Sequence, residues 1–103
     1  SQYLTEIDLE GLKPGVVSSS DLLSIAKDLG LKWVWIGRLL GLEDSLLDGI
    51  REDHIQVSDC QYKMLELWRR VKTTGATYQC LARALLHRTV CMRDVAEKFC
   101  VEN

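Results

Sequence analysis

The hydrophobic and polar residues of this chain follow one another with the spacing of amphipathic helices. Trp33, Ile36 and Leu40 are three and four residues apart, so they share one face of a helix predicted over about 32–40. Trp35 lies about 200° further round that helix than Trp33 and cannot belong to the same face. The pattern predicts a core position for Trp33. For Trp35 the pattern leaves two possibilities open. The side chain is either an exposed anchor for a partner protein or partly buried under the N-terminal segment.

The same spacing predicts five further helices, most of them bounded by capping residues or glycine. The first begins after Ser18, which has capping-box spacing with Asp21, and it ends at Gly30. A second capping box, Ser58 with Gln61, is predicted to open the longest helix. The helices after the first are expected at about 32–40, 44–53, 59–72, 76–87 and 90–100, the last capped by Thr89. The predicted inward-facing side chains are Leu22, Ile25, Ala26, Leu29, Leu47, Ile50, Gln61, Met64, Leu65, Trp68, Val71, Leu81, Ala84, Leu85, Val95 and Phe99.

A lead-in segment, residues 1–17, precedes the first predicted helix and contains the turn signal Pro14-Gly15. We expect it to be extended or partly helical and to lie against a domain that spans 18–103. The length of 103 residues is that of one domain. Six short predicted helices, a single proline and hardly any alternating apolar and polar run predict an all-α bundle of antiparallel helices.

The composition narrows the possible partners and compartments. A net charge of -2 argues against a strongly basic nucleic-acid-binding protein. Glu6, Asp8 and Glu10 interrupt any apolar run that could serve as a signal peptide. Arg38 breaks the most apolar stretch well before it could span a membrane. The four cysteines lack CxxC spacing, so we expect reduced thiols and a cytoplasmic location.

Charge is unevenly distributed along this nearly neutral chain. Residues 43–53 carry a local net charge of -4, and residues 63–93 carry one of +6. If the two regions lie on different faces, the acidic face of one copy can meet the basic face of another, head to tail. The alternative is that these charges are solvated or pair within one molecule. The basic helices also leave open a nucleic-acid-binding domain, although the acids at 43–53 would repel phosphate.

Candidates for metal binding and catalysis are weak. His87 and Cys91 have the i, i+4 spacing of two ligands on a helix, but a turn is expected at Thr89 between them. His54 and Cys60, the other pair that could be invoked, fall in or beside a predicted loop. Neither histidine has a sequence context that would activate a nucleophile. We therefore expect no catalytic residue, metal site, cofactor or small-molecule substrate.

Several short motifs follow one another between about Leu22 and Phe99. They are Trp33-x-x-Ile36-Gly37-Arg38-x-Leu40-Gly41-Leu42, Leu47-x-x-Ile50, Met64-Leu65-x-x-Trp68, Gly75-Ala76-Thr77 with Leu81 and Leu85, and Asp94-Val95-Ala96-Glu97-Lys98-Phe99. Their order and spacing resemble those of a death domain. The resemblance implies a six-helix antiparallel Greek-key bundle that binds other death domains and has neither catalytic activity nor a cofactor. Gly37 stands where the family commonly has alanine, and we expect it to permit a close helix crossing.

The resemblance also implies which surfaces contact partners. They are the first and fourth helices, the second and third helices, and the turn between the fifth and sixth. The residues predicted there are Asp21, Asp28, Arg38, Asp48, Arg51, Arg69, Arg70 and Arg88, to which the charge pattern and the tryptophan pattern add Trp35, Asp44, Glu52, Lys63 and Arg93. Two functions within the family remain open. One is a self-assembling adaptor in apoptotic or inflammatory signalling, and the other is a largely monomeric regulatory domain of a larger scaffold or receptor.

Overall fold

Six α-helices carry the predicted apolar stripes in a computed structural model that describes residues 9–102. The helices are α1 (Ser19–Ala26), α2 (Trp33–Leu39), α3 (Asp44–Asp53), α4 (Val57–Lys72), α5 (Tyr78–Leu86) and α6 (Arg93–Phe99). Short 3-10 turns, Gly30–Lys32 and Thr73–Gly75, precede α2 and follow α4. The all-α, six-helix fold class predicted from the sequence is confirmed.

Helix α4 forms the centre of the core, because it packs against α1, α2 and α3. Its residues Met64, Leu65 and Trp68 are at most 1% exposed, and Trp33 of α2 is 4% exposed. The core positions predicted for Trp33 and Trp68 are therefore confirmed. Gln61 is the buried polar side chain of α4. In the orientation that satisfies both ends of its amide, Gln61 donates to the Ala26 carbonyl and accepts from the Gly30 N–H at 3.0 Å. The amide thus links α4 to the end of α1.

Two predicted helix starts are wrong. Helix α4 begins at Val57 after Gln56, and no side chain caps it, so Ser58 and Gln61 do not form a capping box. Ser58 lies inside the first turn of α4, while Gln61 is held in the core. Helix α6 begins at Arg93, not near Thr89. The Thr89 hydroxyl instead pairs with the His87 ring at 2.9 Å, within the turn that joins α5 to α6.

Two further predictions need smaller corrections. Helix α1 ends at Ala26, and Gly30 begins the following 3-10 turn with a φ of 62°, so glycine serves the turn and not the helix end. Val71 was predicted to face inward, yet it is 48% exposed. It lies in the last turn of α4, beside the exposed Lys72, where the core ends.

The segment before α1 is extended and pairs with two distant parts of the chain. We call residues 11–17 the N-terminal strap. Isolated antiparallel bridges join Leu12 to Val101 and Val16 to Thr77. Val17 is 1% exposed and belongs to the core. The first eight residues of the predicted lead-in lie outside the described residues.

Candidate protein-interaction surfaces

The acidic residues around α3 form an exposed surface because the apolar side of this helix faces the core. Leu47 and Ile50 of α3 are buried. The acids fall on the remaining sides of the helix and at its start, and all are exposed. We call this set the acidic surface; its members are Glu43, Asp44, Asp48, Glu52 and Asp53. Arg51 is also exposed, and its guanidinium lies 4.0 Å from the Asp48 carboxylate and 5.9 Å from the centroid of the Trp33 ring.

Trp35 is exposed at one edge of the acidic surface, which answers the question that the sequence left open. Its side chain is 52% exposed. The Arg38 guanidinium lies 5.0 Å from the centroid of the indole ring. The Nε of Arg38 also donates to Oδ1 of Asp44 at 2.9 Å. Arg38 therefore connects α2 to the start of α3. Its guanidinium and the Trp35 indole form a flat, partly apolar patch next to the acids.

The predicted bases of α4, the α5–α6 turn and α6 are exposed, apart from Arg69. Lys63 and Arg70 are exposed on α4, and both approach the carboxylate of Glu66, at 3.3 and 3.8 Å. Arg88 is exposed in the turn between α5 and α6. Arg93, at the start of α6, donates to Glu97 at 3.2 Å. Exposed pairs of this kind are weak and are readily exchanged for contacts with another molecule.

Two predicted partner residues are half-buried and contact distant parts of the chain. Oδ2 of Asp21 accepts from the Tyr78 hydroxyl at 2.6 Å and from Lys13 Nζ at 2.9 Å. These hydrogen bonds, that of Tyr78 first, lower the pKa of Asp21 below its usual value of 3.8. Arg69 donates from Nη1 to the Val17 carbonyl at 3.2 Å. Asp28, by contrast, is exposed, and its carboxylate lies 3.9 Å from Lys98 Nζ.

The two charged regions do not neutralise each other. Between described residues, none of the ion pairs joins an acid at 43–53 to a base at 63–93. The pairs that these residues do make are with close neighbours in the sequence, as in Arg51 with Asp48 and Lys63 with Glu66. The acidic surface and the exposed bases of α4 therefore keep their charge for contacts with other molecules.

The described chain shows no structure suited to metal binding or to crossing a membrane. Within residues 9–102, no group of three or more metal-ligating side chains is placed to hold an ion. No described helix is long and apolar enough to span a bilayer. All four cysteines are free thiols, and burial raises the pKa of Cys100 to about 11 and raises that of Cys60.

Comparison with known proteins identifies one family. The sequence profile of the Death domain matches residues 20–99, which is most of the chain. Comparisons with curated proteins and with solved structures give no significant match. The matched region starts within α1 and ends with α6, so it contains all the surfaces described above except the strap.

Proposed function

Because this chain belongs to the death-domain family, whose members are protein–protein interaction modules in signalling, we propose that it is a homotypic assembly module. In this proposal the acidic surface of one molecule binds the exposed bases of α4 and of the α5–α6 turn of another. The domain performs no chemistry of its own. It brings attached effector domains to a high local concentration in cytoplasmic apoptotic or inflammatory signalling.

The observation that carries this proposal is that exposed, opposite charges of the two regions are not paired with each other among the described residues. The Asp48 side chain is 63% exposed and that of Arg70 is 70% exposed. Neither makes an ion pair with the opposite region among the described residues. Docking of one region on the other therefore needs little rearrangement of either surface.

A contact that joins the acidic surface of one copy to the bases of another copy is heterologous, because it uses two different surfaces. Such a contact leaves an unused acidic surface at one end of a dimer and unused bases at the other end. Further molecules can add there, which produces open chains or closed rings. The exposed Trp35 offers an aromatic anchor at the rim of the acidic surface. Because the contact is electrostatic, we expect association to weaken as salt screens the charges.

Light scattering tests the proposal directly. The average mass of the purified chain should rise with concentration and with falling salt. A mass that stays monomeric under all these conditions would contradict self-assembly and favour the regulatory, monomeric type of death domain. Light scattering of the chain mixed with random duplex DNA tests the alternative function. A salt-dependent complex with DNA would instead support nucleic-acid binding by the basic helices.

A further inference from the structure

The N-terminal strap is attached at both of its ends by backbone hydrogen bonds. Near its start, the Lys13 N–H donates to the Cys100 carbonyl at 2.8 Å, and the Glu102 N–H donates to the Gly11 carbonyl at 2.8 Å. Near its end, the Val17 N–H donates to the Ala76 carbonyl at 3.0 Å. The Tyr78 N–H donates to the carbonyl of Gly15 at 3.2 Å. The strap thus joins the end of α6 to the start of α5 without belonging to either helix.

A polar cluster joins the middle of the strap to α1. Lys13 Nζ reaches Asp21, and the ammonium also lies 5.3 Å from the centroid of the Tyr78 ring. The Tyr78 hydroxyl donates to Asp21 and accepts from the Ser18 N–H at 3.1 Å. The side chains of Lys13 and Asp21 are 29% and 23% exposed, so solvent still reaches the pair. The strap therefore neutralises the acid that α1 would otherwise present.

The end of the strap similarly occupies a base of α4. Arg69 is half-buried, and its Nη1 donates to the carbonyl of Val17. Helices α1 and α4 pack directly against each other. One short segment thus makes polar contacts with Asp21 on α1 and with Arg69 on α4, the two predicted partner residues that are half-buried.

We propose that the strap is an intramolecular competitor for the α1–α4 surface, so that this surface binds a second death domain only when the strap is detached. The proposal rests on the proposed assembly function and adds a regulated surface to it. The closed state is held by backbone hydrogen bonds, one solvent-accessible ion pair, the Arg69 hydrogen bond and the burial of Val17. Opening is a local event that takes Val17 out of the core but leaves the buried residues of α4 and α5 in place. Detachment would remove the Lys13 ammonium from Asp21, which keeps its hydrogen bond from Tyr78 of α5, and would free the Arg69 guanidinium. A partner would select this open state.

A charge reversal in the strap tests the proposal. Lys13→Glu places a second carboxylate beside Asp21 and should open the strap. Exchange of the backbone amide protons of residues 13, 17, 78 and 102 should then become faster, because these amides donate the hydrogen bonds of the closed strap. If the open state is a minor state of about 10% or less, full opening should lower the apparent dissociation constant of self-association at least about tenfold. Lys27→Glu is the matched control, since Lys27 is exposed directly after the end of α1 and has no ion pair among the described residues.

A disulfide across the strap tests the opposite direction. Leu12 and Val101 face each other as a non-hydrogen-bonded antiparallel pair, whose short Cα distance suits a disulfide. The neighbouring Cys100 thiol is fully buried and should not compete. In the variant Leu12→Cys/Val101→Cys, oxidation should abolish the part of self-association that uses the α1–α4 surface. Reduction of the same protein should restore it.

The outcomes separate this proposal from the assembly function. If the wild type associates and Asp48→Lys weakens it, while Lys13→Glu opens the strap and associates like Lys27→Glu, the strap is only structural and the proposal is wrong. Unchanged amide exchange in Lys13→Glu also overturns it, because the ion pair then does not hold the strap closed. If neither the wild type nor Lys13→Glu associates at any concentration, the assembly function fails as well. Faster exchange and stronger association in Lys13→Glu, with weaker association of the oxidised than of the reduced disulfide variant, support the competitor role.

Discussion

A Cβ on Gly37 would lie 2.7 Å from Cδ2 of Leu47 and 3.2 Å from Cγ of Met64. Helix α2 therefore approaches α3 and α4 at a distance that leaves no room for a side chain. Leu47 and Met64 are themselves buried, so neither can turn out into solvent to make space. The close crossing expected from glycine at this position is confirmed, and it sets how α2, α3 and α4 fit together.

Two glycine substitutions measure the importance of this crossing. In Gly37→Ala, overpacking of a filled core costs about 1–3 kcal/mol, which exceeds the gain in helix propensity of at most about 1 kcal/mol. In Gly49→Ala, the new Cβ meets nothing within 4 Å. This variant should gain about 0.5–1 kcal/mol, because alanine favours the interior of α3. Urea unfolding compares the two, and an equal gain at both positions would show that the crossing is loosely packed.

The two tryptophan environments predict opposite sensitivities to truncation. Trp68→Ala removes a side chain that is 1% exposed and should lower the free energy of unfolding by about 3–5 kcal/mol. That loss is enough to unfold many domains of this size. Trp35→Ala removes an exposed ring and its contact with Arg38, which should cost less than about 1 kcal/mol. Thermal unfolding followed by circular dichroism distinguishes them, and a similar loss for both would place Trp35 in the core.

We expect the Tyr78 hydroxyl to stabilise the fold through its hydrogen bonds, in addition to the burial of the Tyr78 ring. Tyr78→Phe keeps the buried ring but leaves the Ser18 N–H without its acceptor and removes the shortest hydrogen bond to Asp21. We expect a loss of about 1–3 kcal/mol, the cost of unsatisfied polar groups in a partly buried site. Tyr62→Phe is the control, because its hydroxyl contact with Glu66 is long, at 3.4 Å. This control should change the free energy of unfolding by no more than about 0.5 kcal/mol.

The same cluster predicts a dependence of stability on acid. The pKa of Asp21 is lowered in the folded state from 3.8, so the unfolded state binds a proton at a higher pH than the folded state does. The stability contributed by Asp21 is therefore present above about pH 4 and is lost as the pH falls through the folded value. Between about pH 5 and about pH 2, the melting temperature of the wild type should fall more steeply than that of Asp21→Asn. Parallel curves would show that the cluster does not stabilise the ionised carboxylate.

The pH effect also has an alkaline counterpart at Lys13. Its hydrogen bond to Asp21 raises the pKa of the ammonium above 10.5, so this contribution is present at neutral pH and is lost as the pH rises past the folded value.

The apolar pattern predicted the helices and the core because both follow from periodic spacing. Trp33, Trp68 and Leu47 occupy buried positions that the spacing of three and four residues already indicated. Gly37 was recognised by its departure from a family pattern. The helices and the core depend on local spacing, so the sequence predicts them by itself, whereas the expectation for Gly37 came from the family resemblance.

The wrong helix starts and the contacts that the sequence did not predict concern residues distant in the sequence or choices between competing polar partners. Ser58 and Thr89 are residue types that often cap helices. Helix α4 nevertheless starts before the position that Ser58 predicted, and α6 starts after the position that Thr89 predicted. The roles of Asp21 and Arg69 inside the molecule depend on the strap, whose path is set by pairing with residues about 60 or more positions away. No sequence pattern around Lys13 indicates that its side chain pairs with Asp21 of α1. The exposure of Trp35, likewise, required the three-dimensional arrangement.

Complementary charge reversal tests the central claim, that opposite surfaces of two molecules bind each other. Asp48→Lys damages the acidic surface and leaves the bases intact, whereas Arg70→Glu does the reverse. Sedimentation velocity should show that each variant alone stays monomeric at concentrations where the wild type associates, with melting temperatures unchanged. An equimolar mixture of the two should associate again, because each supplies the surface that the other lacks. If both single variants associate like the wild type, or if the mixture stays monomeric, assembly through these two surfaces is contradicted.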